Sequence, residues 1–552
     1  MNTMRPVRNL LRAVMLTLLL AASLPPILAA PLFKGEDRVV IYGDSITQQL
    51  LYSRYLQQYI FCRYPDMKIR FYNAGWDGDT AGRAYNRLER DVLVLNPTVV
   101  TLFFGMNDGG YKAVNDATVT TYRTNMEKLI KALQEKKIRV VVFSPGCVDY
   151  DRRPNLGTAD YNKALEALGK AAEELAKKYN CPYADVHHAM LSFQASEKAK
   201  DSNFTMIPDS VHPNAAGHLV MAHAMLECLG AEPMPALGDM DISSGKGNGL
   251  KLVSKDGSKI VLETLGNSCV PFWFDEPGAH AMQRSGFINM AGQRLTVRGL
   301  TGKYTATIDG KIVGQFSADQ LSSGVMIPGI YSRQGKLVHD MVANKERFYF
   351  SSWRVMRLGM ADMPDIKKCV ENTMENDDSI HNYIYKSASA SAKMLIYLIP
   401  APDGFNIARG KKYVPSDPNK FGWGVNGLLD GSWEQDSQHC WASGNSPKFP
   451  KTVTIDLEKT ARINAVAAGV PNFGSTRTIK VAVSTDGKQY TEVGSHVFTQ
   501  GQEERYIYKF APVNARYVQL IYPDYYDKVV NYPSTFSFTT EVEVYSEDAP
   551  GS

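Results

Sequence analysis

Asp209 stands three residues ahead of His212 in the string PDSVHPN, and Ser45 closes a Gly43-Asp44-Ser45 string far upstream. These residue types suit nucleophilic acyl transfer. A serine hydroxyl is a weak nucleophile until a base takes its proton, and histidine is the side chain suited to do so near neutral pH. A carboxylate must then orient the imidazole and stabilise its charged form. The oxyanion that develops needs fixed donors, each worth about 3 kcal/mol. Candidates are the backbone N–H groups of Ser45 and of Gly78 in NAGWDGDT, and the side-chain amide of Asn107 in GMND. The competing reading makes Ser45 an ordinary helix N-cap, a position that serine favours.

Elements that could carry these groups follow from the hydrophobic pattern. Val39-Val40-Ile41-Tyr42 is an apolar run that stops at Gly43, and apolar residues then recur at helical spacing (Leu51, Tyr55, Leu56, Tyr59). Strands are expected at 38–42, 68–73, 98–104, 138–143 and 182–186, with amphipathic helices such as Tyr122–Lys136 and Asp160–Tyr179 between them. Such alternation implies a parallel sheet with helices on both faces. The blocks holding Ser45, Gly78 and Asn107 each follow a predicted strand, and a helix begins near Asn214, so all can face the crevice at the carboxyl ends of the strands.

The four blocks in this order resemble the SGNH (GDSL-type) hydrolase family over residues 36 to about 230. The resemblance implies a flavodoxin-like, three-layer α/β domain that hydrolyses esters without a cofactor. It also implies Ser45 as nucleophile, Asp209 and His212 as the rest of a triad, and an oxyanion hole of Ser45, Gly78 and Asn107. Ser45 does not sit in a G-x-S-x-G elbow, which disfavours the ordinary α/β-hydrolase. Asp44, Asp79 and Asp108 abut the blocks and are expected to shape their loops by hydrogen bonding. His187-His188 lack a third metal ligand at suitable spacing, His218 and His223 read as structural, and Trp76 suits either a pocket wall or packing.

Beyond residue 235 the pattern changes. The expected organisation is a signal peptide at 1–30, the hydrolase domain at 31–235, a small β domain at 236–330 and a helical segment at 331–400 packing on the hydrolase. A linker at 401–420 and a β-sandwich at 421–552 complete it. Asp309-Gly310 between two strand-like runs signals a hairpin. In the last block, GLLDGSWEQ, STDGKQY and EVEVY resemble discoidin-like modules of coagulation factors and family 32 carbohydrate-binding modules. That resemblance implies a jelly-roll sandwich, glycan binding at loop tips and a structural calcium held by Asp430, Ser432 and Glu541. Tyr525, Tyr526 and Tyr532 could stack on sugar faces or pack at strand ends.

Arg5, Arg8 and Arg12 precede an apolar segment that ends in small residues at Ala30, the signature of a secretory signal, so a secreted or periplasmic protein is expected. No other stretch approaches a membrane span. A net charge of +4 on 552 residues gives no argument for nucleic acid. The seven cysteines show no metal-ligand spacing. Three functions stand open: an esterase removing O-acetyl groups from a glycan or polysaccharide, a lipid or aryl esterase with the same machinery, and a glycan-binding surface protein with a vestigial hydrolase domain.

Overall fold

Arg38–Gly43 has no polar face, and in the computed structural model of the protein it is an interior strand, β1, of a five-stranded parallel sheet. The strand order is β2-β1-β3-β4-β5, with β2 at Arg70–Asn73, β3 at Val99–Phe103, β4 at Arg139–Phe143 and β5 at Tyr183–Ala184. This is the flavodoxin-like order, whose switch point lies where β1 separates β2 from β3. Val40 and Tyr42 point to one face and Val39 and Ile41 to the other, and all four are buried. Helices must therefore cover both faces, each fully buried Val or Leu contributing about 1.5–3 kcal/mol.

Seven helices do so: α1 (Ser45–Gln48), α2 (Tyr52–Arg63), α3 (Ala81–Asp91), α4 (Asp116–Glu135), α5 (Tyr161–Lys178), α6 (Val186–Lys198) and α7 (Ala215–Cys228). Helices α3, α4 and α5 share one core with Val40, Tyr42, Val100 and Leu102. Side-chain caps start five of them. Asp44 caps α1, Thr80 caps α3, Asn115 caps α4, Asp185 caps α6 and Asn214 caps α7. Each such cap is worth about 1 kcal/mol.

The structure describes residues 33–547 except 155–160, 256–258, 267–268, 275, 357–364, 390–391, 403, 425–426, 434 and 530–531. The expected signal segment lies outside the described residues, among which no helix is long and apolar enough to cross a membrane.

The chain divides into two compact units. The first contains the α/β sheet together with Phe274–Ala291 and Gln334–Ala390. Those additions form α8 (Glu276–Arg284), α9 (Ile288–Ala291), α10 (Arg333–Phe350), a π-turn at Ser351–Met356 and α11 (Ile366–Ser389). Tyr349 and Trp353 join the core of the α/β sheet. A buried polar network anchors the same segment: Lys345 Nζ donates to Gln57 Oε1 at 3.2 Å and to the Phe71 carbonyl, and Asp377 lies 4.0 Å from that ammonium. His381 accepts the Phe71 N–H at its Nε2 and faces Asp377 with its Nδ1, so neither ring nitrogen is open to a ligand.

The second unit comprises Pro235–Trp273, Gly292–Arg333 and Ser391 onwards. It holds a four-stranded sheet, a five-stranded antiparallel sheet and the antiparallel strands of the C-terminal sandwich. The Asp309-Gly310 hairpin forms with both residues at positive φ, joining Lys303–Ile308 to Lys311–Ser317.

Three expectations are corrected. Helices α8 and α9 lie inside the stretch read as purely β, and the contacts of Phe274–Ala291 are with the first unit. Leu395–Ala401, read as the end of a helix, is a strand paired with both Lys303–Ile308 and Ile260–Thr264. Its alternation of half-buried and buried residues is the period of a strand. The linker at 401–420 contains Phe405–Asn406 and Lys412–Pro415, which pair with strands of the sandwich and so belong to it.

Candidate active site

Loops at the carboxyl ends of β1, β2 and β3 and the loop before α7 bring the first set of candidate residues together. Asp44, not Ser45, is the cap of α1: its Oδ1 accepts the Ile46 N–H at 3.0 Å, which leaves the Ser45 hydroxyl to turn elsewhere. It turns to His212, with Ser45 Oγ 3.0 Å from Nε2. On the other side of the ring, Nδ1 lies 2.7 Å from Asp209 Oδ2. Ser45 therefore donates to His212, and His212 donates to Asp209.

The Asp209–His212 loop is built around its carboxylate. Oδ1 accepts the N–H groups of Val211 at 3.0 Å and His212 at 2.7 Å, while Ser210 between them takes a left-handed φ of 79°. Backbone strain of this kind is worth about 1–3 kcal/mol and clusters at functional sites. Partial burial works to raise the Asp209 carboxyl, but the His212 N–H and ring and the Val211 N–H outweigh it and hold the group below the usual carboxylate range. The side chains of Asp209 and His212 keep 56% and 36% of their surface exposed, so the pair is open to a ligand.

The donor side is set by close packing. A Cβ at Gly75 would stand 2.4 Å from the Gln48 nitrogen, so only glycine lets the 75–78 loop lie against α1. Gly78 has a different reason: its φ of 65° is left-handed, while the space beside it is empty. The Asn107 amide donates to the Asp79 carbonyl at 2.9 Å, which uses one of its two hydrogens and leaves the other for a ligand.

Two residues of this neighbourhood were missed by sequence reasoning. Tyr111 donates its hydroxyl to Asn107 Oδ1 at 3.3 Å and so fixes which way the amide points. Nothing in its local pattern marks it, since its backbone is left-handed at a φ of 58°. Arg87 ties the strand ends together by donating to the Gly43 carbonyl at 3.1 Å, the Ala74 carbonyl at 2.9 Å and Asp79 Oδ2 at 2.7 Å. A signal was present: Arg87 lies four residues before Asp91 on the buried face of α3.

The remaining candidates have shaping roles. Asp108 accepts the Ala81 N–H at 3.0 Å, and Asp79 pairs with Arg87. Burial pushes the Asp44 carboxyl up to about 8 and that of Asp108 up to about 7, against their backbone hydrogen bonds. His218 is buried, accepting the Tyr52 N–H and donating to Gln49, and burial pushes it down to about 3. His187 bonds the Gly146 carbonyl, His188 bonds Asp185, and His223 stacks on Phe287. Trp76 lies under the guanidinium of Arg354, 4.1 Å from its ring centre.

In the second unit, Asp430 and Glu541 stand carboxyl against carboxyl. Burial and the charges of Glu543 and Asp430 push Glu541 well above its usual range, and its Oε1 is buried without a hydrogen-bond partner. A hard cation fits this oxygen pair. Ser432 comes in through its N–H, which donates to Asp430 Oδ1 at 2.8 Å, and His439 takes Asp430 Oδ2. The tyrosines are half-buried: Tyr525 packs on Phe449, Tyr526 donates to the Phe498 carbonyl, and Tyr532 sits among Trp423, Phe473 and Phe538.

Comparison with known proteins agrees with this division. Residues 41–220 match the GDSL-like lipase/acylhydrolase family, and residues 427–520 match the NedA-like galactose-binding domain. An acetylxylan esterase of Geobacillus stearothermophilus is 23% identical over 180 residues, which is 31% of this chain and 76% of that protein. The solved structure of a gut microbial diltiazem-metabolizing enzyme superposes with a TM-score of 0.57 at 22% identity, covering 67% of this chain and 98% of its own, a likeness of fold. The protein is an ester-bond hydrolase, with a GDSL-like lipase/acylhydrolase domain in its first unit and a discoidin-like, galactose-binding type of domain in its second.

Proposed function

We propose that this protein is an exported SGNH-type serine esterase that removes O-acetyl groups from a glycan or polysaccharide through an acyl-enzyme on Ser45. The observation that carries the reading is the hydrogen-bonded line from Ser45 through His212 to Asp209, with distances of 3.0 Å and 2.7 Å.

In this mechanism His212 Nε2 takes the Ser45 proton as Oγ attacks the ester carbonyl. The oxyanion is received by the N–H groups of Ser45 and Gly78 and by the second hydrogen of the Asn107 amide. The imidazolium then gives its proton to the sugar oxygen, which leaves as an alcohol. A water deprotonated by His212 attacks the acetyl-serine, acetate departs, and the proton returns to Ser45. Asp209 stays ionised throughout, and the hydrogen bonds that hold it below the usual carboxylate range favour that state.

Two features support a glycan ester. One relative carries the name acetylxylan esterase, and the second unit carries a domain of galactose-binding type. Such a domain raises the local concentration of substrate without entering the chemistry. Asp430 and Glu541 would hold a structural calcium there, which would neutralise the buried carboxylates. Export rests on the basic and apolar N-terminal segment ending near Ala30.

The test is turnover of p-nitrophenyl acetate against longer p-nitrophenyl esters, followed by acetate release from acetylated polysaccharides, with Ser45→Ala beside the wild type. Acetate-selective turnover that disappears in Ser45→Ala is the expected result. Preference for long acyl chains would favour a lipid or aryl esterase, and no turnover by the folded wild type would favour a glycan-binding protein.

A further inference from the structure

The oxyanion loop is held from two sides, and one side comes from outside the GDSL-like domain. Gln48 grips Asp77 from α1, donating to its carboxylate at 2.6 Å and accepting its N–H at 2.9 Å. The Trp76 N–H donates to the Gly43 carbonyl at 3.1 Å. These contacts belong to the strand–turn–helix that carries Ser45. The opposite side is covered by the segment that begins at α10, long after the matched region ends at residue 220.

Arg354 makes the direct contacts. Its guanidinium stacks on the Trp76 ring at 4.1 Å, its Nη1 donates to the Gly75 carbonyl at 3.4 Å, and Asp77 lies 3.9 Å from Nη2. One planar group thus touches three successive residues of the loop that ends at Gly78. Stacking and forked donation together are what guanidinium does and ammonium does not.

Glu346, two turns upstream, reaches the same loop from beneath. It accepts the Ser53 hydroxyl at 2.9 Å and the Gln57 amide at 2.6 Å. Ser53 Oγ accepts from Asn73 Nδ2 at 3.1 Å, and that same amide donates to the Thr47 carbonyl of α1 at 2.9 Å. Asn73 Oδ1 in turn accepts the Gly75 N–H at 3.0 Å. A continuous chain therefore runs from Glu346 to both halves of the site: the helix that starts at Ser45 and the loop that presents Gly78.

Gly78 needs such support. It has no side chain to anchor it, its backbone is left-handed, and the space beside it is empty. A donor misplaced by about 1 Å can cost on the order of 100-fold in rate.

We infer that Arg354 and Glu346 are positioning residues for the esterase reaction: the segment 334–356 clamps the Gly75–Gly78 loop so that the Gly78 N–H is held where it can receive the oxyanion formed at Ser45. The inference rests on the serine esterase reading. It assigns to this appended segment a part in transition-state binding, with no contact to substrate.

The test uses the full-length protein with Arg354→Ala, Arg354→Met (which keeps an aliphatic stem without the guanidinium) and Glu346→Gln, beside wild type and Ser45→Ala. Steady-state kinetics on p-nitrophenyl acetate are paired with thermal midpoints and with the rate of inactivation by an organophosphonate, which also needs the oxyanion donors. Arg354→Ala is expected to lower kcat by about 10–100-fold with KM changed less than about threefold, and to slow phosphonate inactivation in parallel. Arg354→Met should fall as far, since the guanidinium rather than the stem holds the Gly75 carbonyl, and Glu346→Gln should fall less. Wild-type kcat in a folded Arg354→Met, with Ser45→Ala inactive, overturns the inference and leaves the esterase reading standing. A loss of rate that tracks only a loss of folded protein also overturns it. Wild-type turnover by Ser45→Ala overturns the esterase reading and the clamp with it.

Discussion

The α/β sheet and the C-terminal sandwich both carry their candidate functional residues on loops, but they treat them in opposite ways. In the first unit, three separate loops carry Ser45, Asn107 and the Asp209–His212 pair, and each polar group is oriented by another. In the sandwich, the half-buried Tyr525, Tyr526 and Tyr532 rest on Phe449, the Phe498 carbonyl and the Trp423 cluster. The difference teaches what each job demands. Chemistry requires groups at hydrogen-bond distance, so the parallel sheet collects strand ends on one edge and lets short motifs meet there. In the sandwich the loop aromatics are placed by packing on one another, and each of the three tyrosines keeps part of its surface exposed.

The sharpest test of the comparison is Ser45→Ala, which should lower kcat by about 10⁴-fold or more while the thermal midpoint stays within experimental error. A fall in stability of the same size would mean that Ser45 is part of the frame. Next comes Arg87→Met, which leaves Asp79 buried without its cation and should destabilise the first unit by about 3–5 kcal/mol in a urea titration. The sandwich has a counterpart in the buried Lys451, which donates to Ser443 Oγ at 3.0 Å and to the carbonyls of Gly444 and Thr535 and pairs with Asp417 at 2.8 Å. Asn107→Ala should cost about 10²–10³-fold in kcat, the ordinary worth of one oxyanion donor. A loss confined to KM would instead mark Asn107 as a substrate-binding group.

The pH dependence of stability sharpens the contrast further. Asp44 is raised from its ordinary 3.8 to about 8, so the folded state holds a proton that the unfolded chain has released. Stability attributable to this group is greatest below about pH 4 and declines as pH rises towards 8. Asp44→Asn should flatten that decline in thermal midpoints measured between these limits, the remaining slope coming in part from Asp108, raised to about 7. Asp209 runs the other way: its carboxyl is depressed, so its contribution is lost as pH falls below the usual carboxylate range.

The smallest effect should be in the sandwich. Chelation by EDTA is expected to lower its thermal midpoint, by on the order of 4–8 °C for each kcal/mol lost, and to leave turnover of p-nitrophenyl acetate unchanged. Glu541→Gln should abolish that chelator response. A midpoint indifferent to both EDTA and added calcium would remove the cation from this site.

Legibility followed the range of the interactions. The five strands of the parallel sheet were readable because an apolar run bounded by Gly43 or Asn73 is a local pattern. The helix start at Asn214 was readable for the same reason, since a cap acts within three residues. Leu395–Ala401 was misread because it follows a long helix in sequence while its partners lie some 90 and 135 residues away. Arg87 was missed because its partners, the carbonyls of Gly43 and Ala74, come together only when two strand ends meet, and Tyr111 because the left-handed turn that brings it back to Asn107 carries no glycine to mark it. The packing of Tyr525 and Tyr532 depended likewise on aromatic neighbours drawn from distant loops.

By itself, then, the sequence determined the chemistry available to this protein and the order of the strands and helices that carry it. Residue type and short spacing decide those, through proton affinity, hydrophobic period and capping. Tertiary structure alone decided that Ser45 meets His212, that Arg87 binds two strand ends, and that Arg354 directly, and Glu346 through Ser53 and Asn73, reach the glycine loop from more than 250 residues away. The reason is the range of the forces: a hydrogen bond or a stacked ring acts over a few ångströms, and only the folded chain brings such distant residues that close.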